Sequence, residues 1–367
     1  MSDSVVWPLE PHTAGKHIVL RAYLNAWLPI LGTTQGRVLF FDGFAGPGEY
    51  RDGEMGSPII ALDALKNHNA RARMSAEIVF AFMEKNAARA AHLRTLVAPY
   101  EEGLPNSVKI HIGEEECATS LSALLDNIEG RGKQMAPAFV MLDPFGVSDT
   151  PMALVGRVLS HPKSEVYISM MWEWINRFKS RPAFERHLTG LFGTEEWKAG
   201  AGLTGHEAKV YFHDLYARQL RANGARYVTS FELLKNNRHV YTIFFATKHP
   251  KGMDLMKQAI WKADRTGNYQ FIGRTGEQID LDIAEAADFR PFANEIRQQF
   301  GGKEDIPVEE VTDWAMTDTT DYHSEHVKRA LRHLEQERCL SARKRNQETR
   351  RRNTYPGGTL LTITAPG

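Results

Sequence analysis

Two short segments carry residue types that could do chemistry together. The first, Phe41-Asp42-Gly43-Phe44-Ala45-Gly46-Pro47-Gly48, runs from apolar residues through an acid into three glycines and a proline. A buried parallel strand reads this way where it feeds a turn that must approach a ligand, because a Cβ would hold the backbone away. The second, Met141-Leu142-Asp143-Pro144-Phe145-Gly146, lies about a hundred residues further on. An acid, a proline-fixed carbonyl and an aromatic in succession offer acceptors for the N–H groups of an exocyclic base amine and a face for stacking. The amine lone pair would then point at an electrophilic methyl, and the base would have to be flipped out of any duplex to reach the site. Such a displacement is helped mainly by placement and by the polarity of the pocket. Asp143, Pro144 and Phe145 are therefore the candidate catalytic residues. The plainer alternative is a tight Asp-Pro turn at a strand end.

Other residues complete a methyl-donor site around these two. Asp42 at the strand tip is placed to meet the donor's amino group, with Phe44, Gly46 and Gly48 forming the loop beneath it. Glu84, in Phe82-Met83-Glu84-Lys85, ends the next strand, where a carboxylate can take both ribose hydroxyls. An acid opening a helix reads the same way. Glu114, the first of Glu114-Glu115-Glu116, is a candidate contact for the adenine amine, or part of a solvated turn. Lys16, with His12 nearby, precedes the first strand; it would pair with the donor's carboxylate or sit at a solvated helix end. Trp172 and Trp174 follow the fifth strand and either line the acceptor pocket or pack a lid.

These residues need a scaffold, and the apolar periodicity supplies one. A helix over 14–31 precedes strands at 37–42, 77–83, 108–112, 138–142 and 165–171. Helices at 58–65, 86–97, 118–128 and 152–159 lie between them. This alternation predicts a parallel sheet with helices on both faces. A helical insertion at about 178–223 comes next. Two strands, 225–234 and 239–246, then flank a turn at Asn236-Asn237, which makes an antiparallel hairpin. Five parallel strands closed by such a hairpin form the α/β, Rossmann-like sheet of class I S-adenosylmethionine-dependent methyltransferases. The first domain is therefore expected over 1–285.

From 286 to 367 the texture changes. Helices at 295–300, 308–315 and 324–337, a basic segment at 342–353 and an extended end at 359–364 predict a winged helix. The helix carries Lys328 and Arg332, and the wing carries Arg343, Lys344, Arg345, Arg350, Arg351 and Arg352. Such a patch suits phosphate contacts, with docking of an acidic protein or a solvated loop as the alternatives.

Composition bounds the rest. The chain has 367 residues and 45 acidic against 45 basic side chains, so no global charge advertises a polyanionic partner. Its two cysteines, Cys117 and Cys339, lie far apart, which argues against a disulfide framework or a cysteine-rich metal site. The acidic stretch 1–10 has no basic-then-apolar leader, and no apolar run approaches a membrane span. The expectation is a cytoplasmic protein without metal.

Both turns resemble those of the three-Cys-motif partner proteins, abbreviated TcmP. The likeness includes Gly56-Ser57-Pro58, His12-Thr13 with Lys16, Asp143-Pro144-Phe145-Gly146, and Phe245-Ala246-Thr247-Lys248-His249-Pro250-Lys251-Gly252 followed by Met256. It spans most of 7–265. The resemblance implies a methyltransferase-like fold, S-adenosylmethionine as cofactor, and a partner similar to radical S-adenosylmethionine enzymes that carries three cysteines. The Asp-Pro-Phe-Gly turn also resembles that of tRNA guanine-N2 dimethyltransferases and departs from the Asp/Asn-Pro-Pro-aromatic form of adenine methyltransferases. The function expected is N-methylation of a base amine in DNA or RNA. The alternatives are a catalytically silent nucleic-acid-binding adaptor for the three-cysteine partner, and a protein methyltransferase.

Overall fold

The computed structural model describes residues 5–144, 146, 150–235, 238–264, 270–273, 288–345 and 351–366. The chain separates into two compact units, Met1–His249 with Gln270–Gln278, and Pro250–Tyr269 with Ile279–Gly367.

The first unit opens with α1 (Pro11–Thr34) and then alternates: β1 (Arg37–Asp42), α2 (Ser57–Lys66), β2 (Glu77–Met83), α3 (Ala87–Gly103), β3 (Val108–Gly113), α4 (Cys117–Glu129), β4 (Ala138–Leu142), α5 (Met152–Ser160) and β5 (Ser164–Met170). Three helices follow, α6 (Trp172–Phe178), α7 (Glu185–Phe192) and α8 (Gly205–Ala222), and then β6 (Tyr227–Lys235) and β7 (Arg238–Thr247). The strand order is β3-β2-β1-β4-β5-β7-β6, extended at its edge by one further short strand, Gln270–Gly273. β1 pairs in parallel with both β2 and β4, while β7 runs antiparallel to β5 and β6. This is the Rossmann-like methyltransferase arrangement that the alternation and the hairpin predict. The tip of that hairpin, Asn236-Asn237, lies outside the described residues. The additional edge strand is four residues long, too short for a period-two pattern to announce it.

The central strands are apolar runs because both faces are covered: every residue of β4 and β5 is buried, as are all but the first of β1. Phe40 of β1 stacks on Phe139 of β4 with centroids 5.7 Å apart, and Tyr23 and Trp27 of α1 close over Phe139. Each such pair adds about 0.5–1.5 kcal/mol beyond the area it buries. A polar contact fixes where α1 lies along the sheet. The Tyr23 hydroxyl donates to Glu165 Oε2 at 2.6 Å, and the Thr247 hydroxyl donates to Glu165 Oε1 at 2.8 Å. Burial pushes the Glu165 carboxyl up, and these hydroxyls pull against that shift.

The second unit contains α9 (Pro250–Ala263) and then, beyond the edge strand numbered β8 (Gln270–Gly273), α10 (Arg290–Phe300), β9 (Ile306–Pro307), α11 (Val308–Ala315), α12 (Val327–Gln336), β10 (Leu340–Lys344) and β11 (Thr359–Ile363). The three strands form an antiparallel sheet in the order β10-β11-β9. α12 buries Val327, Ala330, Leu331 and Leu334, a helical stripe that packs on Phe292, Ile296, Val311 and Leu361. The sequence reading left α9 with the first domain, whereas two side chains join it to this unit. The Lys257 ammonium is buried and donates to the carbonyls of Ala315, Thr317, Thr320 and Tyr322 at 2.5–3.0 Å. Asp254 accepts from the Ser324 backbone N–H and hydroxyl, each at 2.8 Å.

Those contacts enclose two histidines. The rings of His323 and His326 lie 3.5 Å apart beside Trp261, and burial, with the charges of Lys257 and Arg329 adding to it, lowers each imidazole to about 3. Both are neutral in the folded unit but take up protons in the unfolded chain below the ordinary 6.5. Their contribution to stability is therefore complete above about pH 6.5 and is lost as pH falls toward 3. Scanning calorimetry between pH 7 and pH 4 is expected to show a falling unfolding temperature. A His323→Phe/His326→Phe variant should flatten that fall, and an unchanged slope would refute the assignment.

Candidate active site

From β1 the chain steps outward to β2 and β3, then returns to β4 on the other side of β1. Crossovers leave in opposite directions at this point, so a crevice opens at the carboxyl ends of β1 and β4, where doubly wound sheets bind ligands. Asp42 stands in register with Met141, and Gly43 N donates to Met141 O at 3.0 Å. The turns after the two strands therefore share one cleft of about 230 Å3. Phe44 through Gly48 form one wall, Asp143 and Pro144 another, with Lys16 and His17 of α1 and Tyr241 of β7 between them.

The glycine loop is held from inside. Asp42 is fully buried; its Oδ1 accepts from Phe44 N at 3.0 Å and its Oδ2 from the Ser57 hydroxyl at 2.6 Å. Burial pushes the carboxyl up to about 6, against the pull of those two donors. Asp42 was expected to meet the donor's amino group, but it does not line the cleft, because both oxygens are engaged in closing the loop. Gly48 has φ +90°, and a Cβ there would come within 2.6 Å of Leu93 Cδ1. That glycine is required by turn geometry and by packing on α3. Gly46, at φ +63°, faces the Trp7 ring, which the Arg89 guanidinium covers at 4.8 Å.

Across the cleft the structure joins two sequence candidates that had been given separate roles. The Lys16 ammonium donates to Asp143 Oδ2 in an ion pair. Burial alone would raise the Asp143 carboxyl; the Lys16 charge and hydrogen bond outweigh it and hold the group below its usual range. His17, one residue on, is lowered to about 3 by burial and by Lys16, and its Nε2 lies 3.5 Å from the Tyr50 hydroxyl. Burial also raises Tyr241, with the charges of Asp143, Glu173 and Glu10 adding to it, to about 12.

Other predicted residues lie elsewhere. Glu84 is buried at the start of α3, where its Oε1 accepts from Asn86 N at 2.8 Å, the helix-opening alternative. Glu114 is exposed and pairs with Arg94 at 2.5 Å, Glu115 accepts from the Ser120 hydroxyl, and Glu116 lies 3.6 Å from Lys85. None of the four lines the cleft. Phe145 and the His12 side chain fall outside the described residues. Trp172 is buried against Phe212, and Trp174 is exposed. In the second unit Lys328, Arg332, Arg345, Arg351 and Arg352 are exposed, and Lys344 is half-buried. Arg332 donates to Asn353 O, and Arg343 forms a two-pronged pair with Asp305 at 3.0 and 2.6 Å. Arg350 lies outside the described residues. The sequence reading missed His17, Tyr50 and Tyr241. His17 adjoins Lys16 and Tyr50 follows the glycine loop closely, but nothing local marks Tyr241.

No protein-family model matches the sequence, and no curated protein is significantly similar to it. Among solved structures the chain is similar to a Legionella pneumophila str. Philadelphia 1 protein of the DUF519 family, with 12% identity over 68% of this chain and 91% of that one, TM-score 0.41. It is also similar to a Bacillus cereus O-methyltransferase in complex with SAH, with 14% identity over 62% and 80% of the two chains, TM-score 0.34. A third is the magnesium protoporphyrin IX methyltransferase of Synechocystis PCC 6803 with bound SAM, with 11% identity over 64% and 81%, TM-score 0.33. No helix among the described residues is long and apolar enough to cross a membrane.

The Lys16–Asp143 pair sets the charge of the cleft. Lys16→Met removes the largest opposition to burial and leaves only the Ser169 hydroxyl and the His17 charge, so the Asp143 carboxyl should rise. Carbon-13 NMR titration of the labelled side chain reads this directly, and an Asp143 that still titrates low in the variant would show that Lys16 is not the cause.

Proposed function

We propose that this chain is an S-adenosylmethionine-dependent methyltransferase that acts on an exocyclic amine of a nucleic-acid base. The observation that carries the reading is the shared cleft: a glycine loop after β1 and an Asp-Pro turn after β4 face one cavity at the switch point of the sheet. Bound there, the cofactor supplies an electrophilic sulfonium methyl. The rings of Phe44 and Tyr50 suit a sulfonium cation, and Lys16 has further N–H groups for a carboxylate besides the one on Asp143. Gly46 and Gly48 leave the loop backbone bare of side chains. Asp42 serves the cofactor through the loop it closes. Glu84, with one oxygen on Asn86 N, and the exposed Glu114 do not line the cleft, which makes them weaker candidates.

Asp143 and the Pro144 carbonyl accept the amine's N–H groups, which turns the nitrogen lone pair toward the methyl, and Phe145 is proposed as the stacking face. The second unit from α10 onward, with its helix–strand–helix–helix–strand–strand order, is read as a winged helix. Lys328 and Arg332 of α12, with Arg345, Arg350, Arg351 and Arg352 of the wing, grip phosphates. Arg343 and Lys344 contribute less, because Arg343 is held by Asp305 and Lys344 is half-buried. The TcmP resemblance adds a three-cysteine partner similar to radical S-adenosylmethionine enzymes. One observation favours the adaptor reading instead: Asp42, Glu84 and Asp143 all have internal partners.

Calorimetry is expected to show binding of S-adenosylmethionine, weakened in Asp42→Ala. Asp143→Asn should keep cofactor affinity and lose transfer of labelled methyl to mixed nucleic acid by about 100-fold or more. Absence of binding at millimolar cofactor refutes the enzyme. Nucleic-acid binding without methyl incorporation, with and without the partner, selects the adaptor.

A further inference from the structure

The segment after β5 builds a surface that the cleft does not use. Trp174 of α6 is 38% exposed, and its ring rests against Phe178 at 5.2 Å. Phe178 is itself stacked on Phe184 at 4.0 Å and 15°. The Arg177 and Arg181 guanidinium groups cover the same Phe178 ring at 5.3 and 5.4 Å. Among the described residues neither arginine has a carboxylate partner, unlike Arg343, Arg94 and Arg157. Lys179 is buried and locks the end of the helix, donating to Asn176 Oδ1 at 2.7 Å and to Leu203 O at 2.6 Å. The result is an exposed indole braced on Phe178, a ring that also carries two planar cations without carboxylate partners among the described residues.

We propose that this surface binds single-stranded RNA, with an unpaired base stacked on Trp174 and phosphates on Arg177 and Arg181, beside the nucleotide that enters the cleft. The proposal rests on the nucleic-acid reading above and deepens it. Three observations favour this occupant. Stacking on an aromatic or guanidinium plane together with phosphate pairing is how unpaired strands are held, and every base has a face to offer. One exposed indole on a ring that two arginines cover presents too little apolar area for an ordinary protein interface, whose centre is depleted of charge. The patch also adjoins the cleft through the sheet. α6 starts where β5 ends, β5 pairs with β7, and Tyr241 of β7 lines the cleft. Tyr241 feels the charges of both Asp143 and Glu173, the latter next to Trp174 on α6. RNA is favoured over DNA because unpaired bases are the ordinary state of RNA loops, whereas duplex DNA must first be melted.

The test is fluorescence anisotropy of the full chain with a labelled oligouridylate and with a duplex DNA of the same length. Wild type should bind the RNA more tightly than the duplex. Trp174→Ala should weaken RNA binding by about 5- to 150-fold, the range for one lost base stack, and Trp174→Phe should restore most of it. Arg177→Ala/Arg181→Ala should reduce the slope of log affinity against log salt by about 1.4. Equal affinity of wild type and Trp174→Ala, preference for the duplex, or no RNA binding by wild type would each overturn the proposal. Calorimetry with S-adenosylmethionine on the same proteins keeps the two readings apart: variants that bind cofactor normally while RNA affinity is unchanged refute only this surface. A wild type that binds no cofactor refutes the methyltransferase.

Discussion

A buried carboxylate held by two neutral hydrogen-bond donors organises the wall of the cleft in the first unit. Asp42 ends β1 inside the protein and spends one oxygen on the backbone two residues ahead and the other on the Ser57 hydroxyl at the start of α2. The loop between these points is thereby closed over the strand tip, with Gly56 N bonded to Gly48 O at 2.7 Å at its neck. Burial raises the carboxyl because its charge is poorly solvated, and the two donors are what make the site tolerable for an acid. Remove them and only backbone bonds such as Ala45 N to Met83 O and Gly56 N to Gly48 O hold the loop. The wall of the cleft is in this sense a by-product of satisfying one acid.

The opposite wall depends on α1, which precedes the sheet in sequence yet brings Lys16 and His17 to the tips of its central strands. Its placement follows from apolar packing of Tyr23 and Trp27 on Phe139, and its position along the sheet is set by the hydroxyl of Tyr23 on Glu165. Glu165 lies on the strand next to β4, so the same sheet that carries Asp143 also anchors the helix whose lysine meets it. The ion pair is then a consequence of two registers that agree. Because it is only partly exposed, its geometry matters more than that of the surface pairs on Arg94 and Arg157.

Much of this was legible in the residues. Continuous apolar runs such as Val38-Leu39-Phe40-Phe41 and Phe139-Val140-Met141-Leu142 mark strands covered on both faces, and their alternation with helices predicts the parallel sheet, whereas its switch point is visible only in the strand order. The two turns follow, since glycines and an Asp-Pro pair sit at strand ends. Partnerships were not legible. Nothing in the local pattern tells that Asp42 turns inward to Ser57 or that Lys16 meets Asp143 across more than a hundred residues, and it leaves open whether Glu84 opens a helix or meets a ribose. Such pairings depend on tertiary register, which periodicity does not encode. Likewise the expected first domain, 1–285, takes in α9, and only the carbonyls around Lys257 and the Asp254 bonds to Ser324 reveal which unit it belongs to.

The titration of the cleft bears on which acceptor it can serve. Methylation of a hydroxyl needs a base able to draw off a proton before or during attack, and such a base works best with a pKa near the working pH. Neither candidate here qualifies: Asp143 is held low by Lys16, and His17 is lowered to about 3. A neutral amine asks less of the site. Its lone pair attacks without prior deprotonation, and the nitrogen becomes acidic only once the methyl has arrived, when even a weak carboxylate can take the proton. What the amine needs beforehand is acceptors that fix its N–H groups, and an ionised Asp143 next to the Pro144 carbonyl is well suited to that. On the methyltransferase reading proposed above, the feature that weakens Asp143 as a base keeps it charged as an acceptor, which suits an amine better than a hydroxyl.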